Sequence, residues 1–311
     1  MDEGVRWEVK EGQNKQRKIK MKKSNITFGT ILLALGCLAL SPGARGVDIS
    51  HRTFTQVDFP GASLTIAESI NPRGDIVGPY FDSDGNGHGY LLSNGVFTTI
   101  DVPGAPFTIA IGVNPQGEIV GLYFDSDGNG HGYLLSNGAF TTIDVPGAIF
   151  TIASGINSKG DIVGDYFDTD GNRHAYLLHN GAFTTIDFPG AGPFGTDVES
   201  INPRGHIAGF YEDDSDIAHG LLVTRESFIT IDVPGAAQTF AIGISPQDDI
   251  VGTFIDSSGN SHGYLLRNGA FTTINVPGAI LTDANGINPR GDIVGDFTDS
   301  SGNEHGYLLS K

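Results

Sequence analysis

FTTIDVPGAPFTIAIGVNPQGEIVGLYFDSDGNGHGYLLSNG, residues 97–138, is the stretch that decides the fold, because nearly all of the chain consists of copies of it. The copies begin at Phe54, Phe97, Phe140, Phe183, Phe228 and Phe271, in steps of 43, 43, 43, 45 and 43 residues. A period in the forties that holds several short extended segments predicts a ring of small sheets rather than stacked helices.

Four strands are predicted in the second copy, over 108–113, 118–124, 131–135 and 140–145. The turns between them read Asn114-Pro115-Gln116-Gly117, Asp125-Ser126-Asp127-Gly128-Asn129 and Ser136-Asn137-Gly138, which supply the fixed or positive φ of tight hairpins. The sixth copy stops at Lys311, directly after a third strand over 305–309. Its missing partner lies at the other end, over 54–59. Pairing the two closes an all-β, six-bladed β-propeller with four-stranded blades, in which the N-terminal strand completes the last blade. An open solenoid would leave both edges bare, and bare edges invite aggregation. With 45 Gly and 15 Pro, no stretch after Gly46 sustains a helical stripe.

Residues 1–46 read as a secretory leader. Lys15, Arg17, Lys18, Lys20, Lys22 and Lys23 precede an apolar run over 26–40, and Ala44-Arg45-Gly46 offers small residues before Val47. Met21 followed by Lys22-Lys23 is the more natural start. The run is shorter than the roughly 20 residues of a membrane span, so no membrane insertion is expected once the leader is removed. Cys37 is the only cysteine, and the residues before it fit a lipid-attachment signal poorly. A short linker over 47–53 then leads into the repeat domain, 54–311. The expected location is secreted or periplasmic, in a bacterium.

Removing the leader takes nine of 18 basic residues but four of 36 acidic ones, which moves the formal net charge from −18 to −23. Nucleic acid and anionic membranes are poor partners for such a chain. The acidic residues concentrate in second-to-third turns, whereas Arg73, Lys159, Arg204 and Arg290 sit in first turns, so one face of the disc is expected to be strongly negative and the other mixed.

Three of the acidic turns invite a metal reading. Asp82, Asp84 and Asn86, then Asp125, Asp127 and Asn129, then Asp168, Asp170 and Asn172 place oxygen-bearing side chains at alternating positions, a spacing that suits calcium. The same residues are also those of an ordinary hairpin turn. No cofactor other than calcium is suggested. His88, His131, His174, His219, His262 and His305 recur at one position in all six copies, away from the axis, and are expected to bond a backbone group or a neighbouring blade's loop.

Packing asks the same of every blade, so function should appear where copies disagree. The first strands disagree most. One position reads Glu68, Ile111, Ser154, Glu199, Ile242 and Asn285, and two residues earlier stand Ile66, Ile109, Ile152, Asp197, Phe240 and Asp283. In a six-membered ring Glu68 opposes Glu199 and Ser154 opposes Asn285. Glu68, Glu199, Asp197, Asp283 and Asn285 are therefore the candidate ligand-binding residues, and no catalytic residue is assigned.

Gly155-Ile156-Asn157, Gly160-Asp161-Ile162-Val163-Gly164, His174-Ala175-Tyr176-Leu177 and Asn180-Gly181 resemble the HAF-type bacterial extracellular repeat, and the match recurs over 54–311. Most copies read His-Gly-Tyr-Leu-Leu and lack that repeat's tryptophan. The resemblance implies export and a propeller-like fold, with no established activity and no catalytic residue to carry over. Three readings follow: a monomeric, non-catalytic binding or scaffold propeller for a small molecule, glycan or envelope protein; a glycan-active enzyme using Glu68 and Glu199; and a calcium-stabilised propeller.

Overall fold

The Asn-Gly turns adopt the backbone that their chemistry favours. Asn137 sits at φ 50° and Gly138 at φ 78°, and the positive pair recurs at Asn94, Asn180 and Asn268 with their following glycines. Such turns match the twist of the strands they join. In this computed structural model, which describes residues 36–37, 46–225 and 227–311, they help organise six antiparallel sheets.

In blade 2 the strands run from inside to outside as Phe107–Val113, Ile119–Phe124, Gly130–Ser136 and Ala139–Ile143. Blade 6 consists of Leu281–Ile287, Ile293–Thr298, Glu304–Ser310 and, from the other end of the chain, Thr53–Val57. Phe54 pairs with Leu309 and Val57 with Gly306, so the ring closes as the repeat boundaries predict and the solenoid is ruled out. The linker is docked: Val47 N–H donates to Thr272 Oγ1 at 2.7 Å, and Arg52 donates to the Gly291 carbonyl.

A shared irregularity shapes the innermost strands. Register shifts fall at Ile111, Glu199, Ile242 and Asn285, between their flanking residues. In blades 1 and 3 the strand is interrupted over the corresponding stretch, leaving Leu64–Thr65 and Ser69–Ile70, then Phe150–Thr151 and Gly155–Ile156. A bulge re-aims the extra side chain. Here all six line the axial channel.

Neighbouring blades pack face to face, with one apolar cluster at each junction. Between blades 6 and 1, for example, Val57 and Val294 meet Ala67, Ile70, Ile76, Tyr80 and Tyr90. Tyr90, Tyr133, Tyr176, Tyr264 and Tyr307 are fully buried, and Leu221 takes their place in blade 4. The apolar body of each such side chain gains about 2–3 kcal/mol by leaving water, offset at Tyr133, Tyr264 and Tyr307 by a buried hydroxyl without a partner among the described residues. Close approach within a blade needs glycine: a Cβ on Gly121 would lie 2.0 Å from the Ile109 carbonyl oxygen.

At the base, four of the first turns are tied to the next blade by an asparagine amide. Asn71 donates to the Asn114 carbonyl, Asn114 to that of Asn157, Asn157 to that of Asn202 and Asn202 to that of Ser245, at 3.1–3.4 Å. Ser245 lacks the amide and ends this run of links.

The leader and the start at Met21 lie outside the described residues, except that the backbone of Gly36–Cys37 runs parallel to Ile229 and Thr230 on the outer edge of blade 4. No helix among the described residues is long and apolar enough to cross a membrane.

Candidate functional site

The axial channel has two chambers. A wide one of about 560 Å³ opens on the face that carries the acidic turns, and a narrow one of about 110 Å³ lies toward the Asn-Pro turns. Glu68, Ile111, Ser154, Glu199, Ile242 and Asn285 line both and form the constriction between them.

Around the wide chamber, each junction presents three equivalent positions: one late in the second strand, one starting the third strand, and one early in the next blade's first strand. Blades 1 and 2 place Gly87 and Gly130 at the middle position, and the rings of Phe107 and Phe150 occupy the space. A Cβ there would approach those rings to 2.2 and 2.0 Å. Blade 4 supplies Phe210 and Ala218, facing Phe240. Half of the mouth is therefore apolar.

The other three junctions are polar. Between blades 3 and 4, Arg173 bridges Asp165 at 3.0 Å and Asp197 at shorter range, and Asp165 also accepts from Val198 N–H at 3.1 Å. Asp165 and Asp197 are buried, at 1% and 4% exposure. Burial and then Asp197 drive the Asp165 carboxyl upward against the pull of Arg173, while the two carboxylates together keep the guanidinium charged. Among the described residues, Asp197 Oδ1 and Arg173 Nε have no hydrogen-bond partner.

Between blades 5 and 6 the same three positions hold Thr253, Ser261 and Asp283. Both hydroxyls donate to Asp283 Oδ1, Thr253 at 3.0 Å and Ser261 at shorter range. Between blades 6 and 1 stand Asp296, Glu304 and Ile66. Asp296 is pushed well up by burial, Asp283 and Glu304, with Asn285 opposing at 2.9 Å. Burial and then Asp283 raise Glu304. Among the described residues no arginine or lysine lines this sector.

Glu68 and Glu199 are half-buried, with protein on every side except the channel void. Enclosure pushes Glu68 up to about 7, helped by Glu304 and Asp283. Glu199 is pushed up to about 8 by burial and Asp197, against Arg173, and Glu68 across the channel adds to the effect. Both carboxylates line the same channel, at the constriction.

Of the sequence candidates, Glu68, Glu199, Asp283 and Asn285 line the wide chamber, whereas Asp197 is turned into the ion cluster. Asp165, Arg173, Asp296 and Glu304 were missed. Their signal was present, since second-strand copies read Pro79, Leu122, Asp165, Phe210, Thr253 and Asp296.

The acidic turns lie on the rim, outside this site. Asp82 Oδ1 accepts from the backbone N–H groups of Asp84 and Asn86, and Oδ2 accepts from the Asn86 amide, each at 2.9 Å. These bonds hold the Asp82 carboxyl down at about 2, as they do for Asp125 and Asp168 with Asp127, Asn129, Asp170 and Asn172. Among the described residues no three His, Cys, Asp or Glu side chains converge as a metal site. The recurring histidines bond side chains of their own blade, the one just past its outermost strand among them, not the backbone or a neighbouring blade's loop as expected. His131 Nδ1 meets Asp144 at 2.9 Å and Nε2 meets Asp125 at 3.4 Å. An imidazole between two carboxylates satisfies both nitrogens, which no backbone group at that spacing does.

No protein-family profile matches the chain, and comparison with curated proteins gives no match. Among solved structures it is similar to a putative TolB from Agrobacterium tumefaciens (TM-score 0.56, 17% identity, 80% of this chain and 91% of that one). It is also similar to a triple-arginine mutant of AofleA from Arthrobotrys oligospora (0.54, 15%, 88% and 90%) and to a fucose-specific lectin from Aleuria aurantia (0.52, 14%, 80% and 93%). At these identities the likeness concerns the six-bladed propeller fold alone.

Proposed function

We propose that the protein is an exported, non-catalytic binding propeller whose ligand, a hydroxyl-rich glycan, enters the wide axial mouth. The observation that carries this reading is where the blades differ: the outer strands are near-copies, while the mouth interleaves carboxylates with Ile109, Ile152 and Phe240 around its rim. Carboxylates accept from sugar hydroxyls, and apolar side chains cover the C–H faces of a ring. The lectin among the fold neighbours is compatible with this use of the scaffold. Export rests on the leader pattern and on the HAF-type resemblance.

Glu68, Asp283 and Asn285 are assigned to ligand contact, with Glu304 added from its position at the mouth. An enzymatic use of Glu68 with Glu199 is less well supported. Both carboxyls are pushed upward, whereas acid–base chemistry needs their environments to drive them apart. Glycan-array screening followed by calorimetry tests the proposal. Glu304→Gln with Asp283→Asn should weaken any glycan found by at least about tenfold, the equivalent of one or two hydrogen bonds to charged groups. A panel without binders, or binding indifferent to these changes, would end this reading.

A further inference from the structure

The constriction below the mouth is built differently from the mouth itself. Its six side chains form three facing pairs: Glu68 with Glu199, Ser154 with Asn285, and Ile111 with Ile242. Two of the three diameters are therefore oxygen-bearing. Ser154 is only 4% exposed, lines both chambers, and has no hydrogen-bond partner for its hydroxyl among the described residues. What surface the side chain keeps faces the channel, where an occupant of the axis would meet the hydroxyl. Asn285, 8% exposed, commits its NH2 to Asp296 Oδ1 at 2.9 Å and to the Ala67 carbonyl at 3.4 Å. That orientation leaves Asn285 Oδ1 as an acceptor.

We propose that this ring holds a hard divalent cation on the channel axis, with the Glu68 and Glu199 carboxylates, Ser154 Oγ and Asn285 Oδ1 as its protein ligands and water completing the shell. Two carboxylates balance a double charge, and four oxygen donors without sulfur or imidazole select a cation of the calcium type. The donors stand at strand irregularities, so backbone geometry aims them before any ion arrives. Ile111 and Ile242 close the third diameter and keep the local dielectric low. The site differs from the rim turns, whose leading aspartates spend their oxygens on their own loops. It shares Glu68 and Asn285 with the glycan reading, whose tested contacts, Asp283 and Glu304, line the mouth and not the ring.

The test is calorimetric titration of calcium, and separately magnesium, into the chelator-stripped protein. One calcium per chain is expected, with a rise in Tm that follows occupancy. Glu68→Gln with Glu199→Gln should weaken calcium by at least about tenfold, because ligand charge sets affinity. Ser154→Ala should weaken it several-fold without disturbing the fold. Asp82→Asn with Asp125→Asn, on the rim, should leave it unchanged. No binding at millimolar calcium, binding that survives the double glutamine change, or binding lost through the rim variants would overturn the proposal. If the double variant folds poorly, Ser154→Ala decides: unchanged affinity counts against the ring. Glycan binding is read separately, so either idea can fail alone.

Discussion

The junction of blades 3 and 4 and the sector running from blade 5 through 6 to 1 use equivalent backbone positions for opposite ends. At the first, Arg173 sits between Asp165 and Asp197, and the charges are nearly self-sufficient. At the second, Asp283, Asp296, Glu304 and Glu68 gather with hydroxyls and one amide for company and no lining cation. The first arrangement is tied to folding, because removing any member strands the others. The second stores repulsion that a bound partner can relieve. One repeat can thus supply a strut at one junction and an open demand for a ligand at another.

The comparison breaks most visibly at Arg173. Arg173→Met should cost about 3–5 kcal/mol, since two buried carboxylates lose the counter-charge between them. Urea unfolding measures this, and a loss below about 1 kcal/mol would make the junction no strut at all. The acid sector predicts a pH effect of the opposite kind. Glu68 titrates at about 7 in the folded protein, above its value of 4.5 in the open chain. The folded state therefore binds this proton more tightly, and its contribution is complete below about pH 4 and fades as pH rises through 7. Wild type should lose on the order of 2 kcal/mol between pH 5 and 8 from this group, allowing for channel water, and Glu68→Gln should lose correspondingly less. Parallel pH profiles for the two proteins would remove Glu68 from the account. The smallest effect is expected at Ser261→Ala, which takes one of two hydroxyl donors from Asp283 and should cost about 1 kcal/mol. A stabilised variant would mean that Asp283 is not held by that bond.

Much of this was legible because the chain carries its own alignment. The six copies at a step of about 43 residues foretell six blades, and their strand order foretells the partnership of Phe54 with Leu309. The constriction was legible too, since Glu68-Ser69-Ile70-Asn71-Pro72 and Glu199-Ser200-Ile201-Asn202-Pro203 recur only in the two facing blades. What escaped was pairing across junctions. Asp197 resembled a channel residue by its position, but its nearest cation, Arg173, comes from the preceding repeat through a turn that no local pattern fixes. The histidine partners were within reach: the Asp or Asn lies 13 residues on in five copies, while in the sixth it is Asp58, across the ring seam. Only cross-strand register reveals that such residues face each other.

The strand that completes blade 6 is made first and needed last. Thr53–Val57 leaves the ribosome some 250 residues before Glu304–Ser310, with which it pairs. Until Glu304–Ser310 emerges, that early segment remains without its partner strand. A chain of this design is thus exposed to mispairing throughout its making and becomes safe in a single late event. A truncation of only the last seven residues should forfeit the seam, and with it the protection of both ends at once.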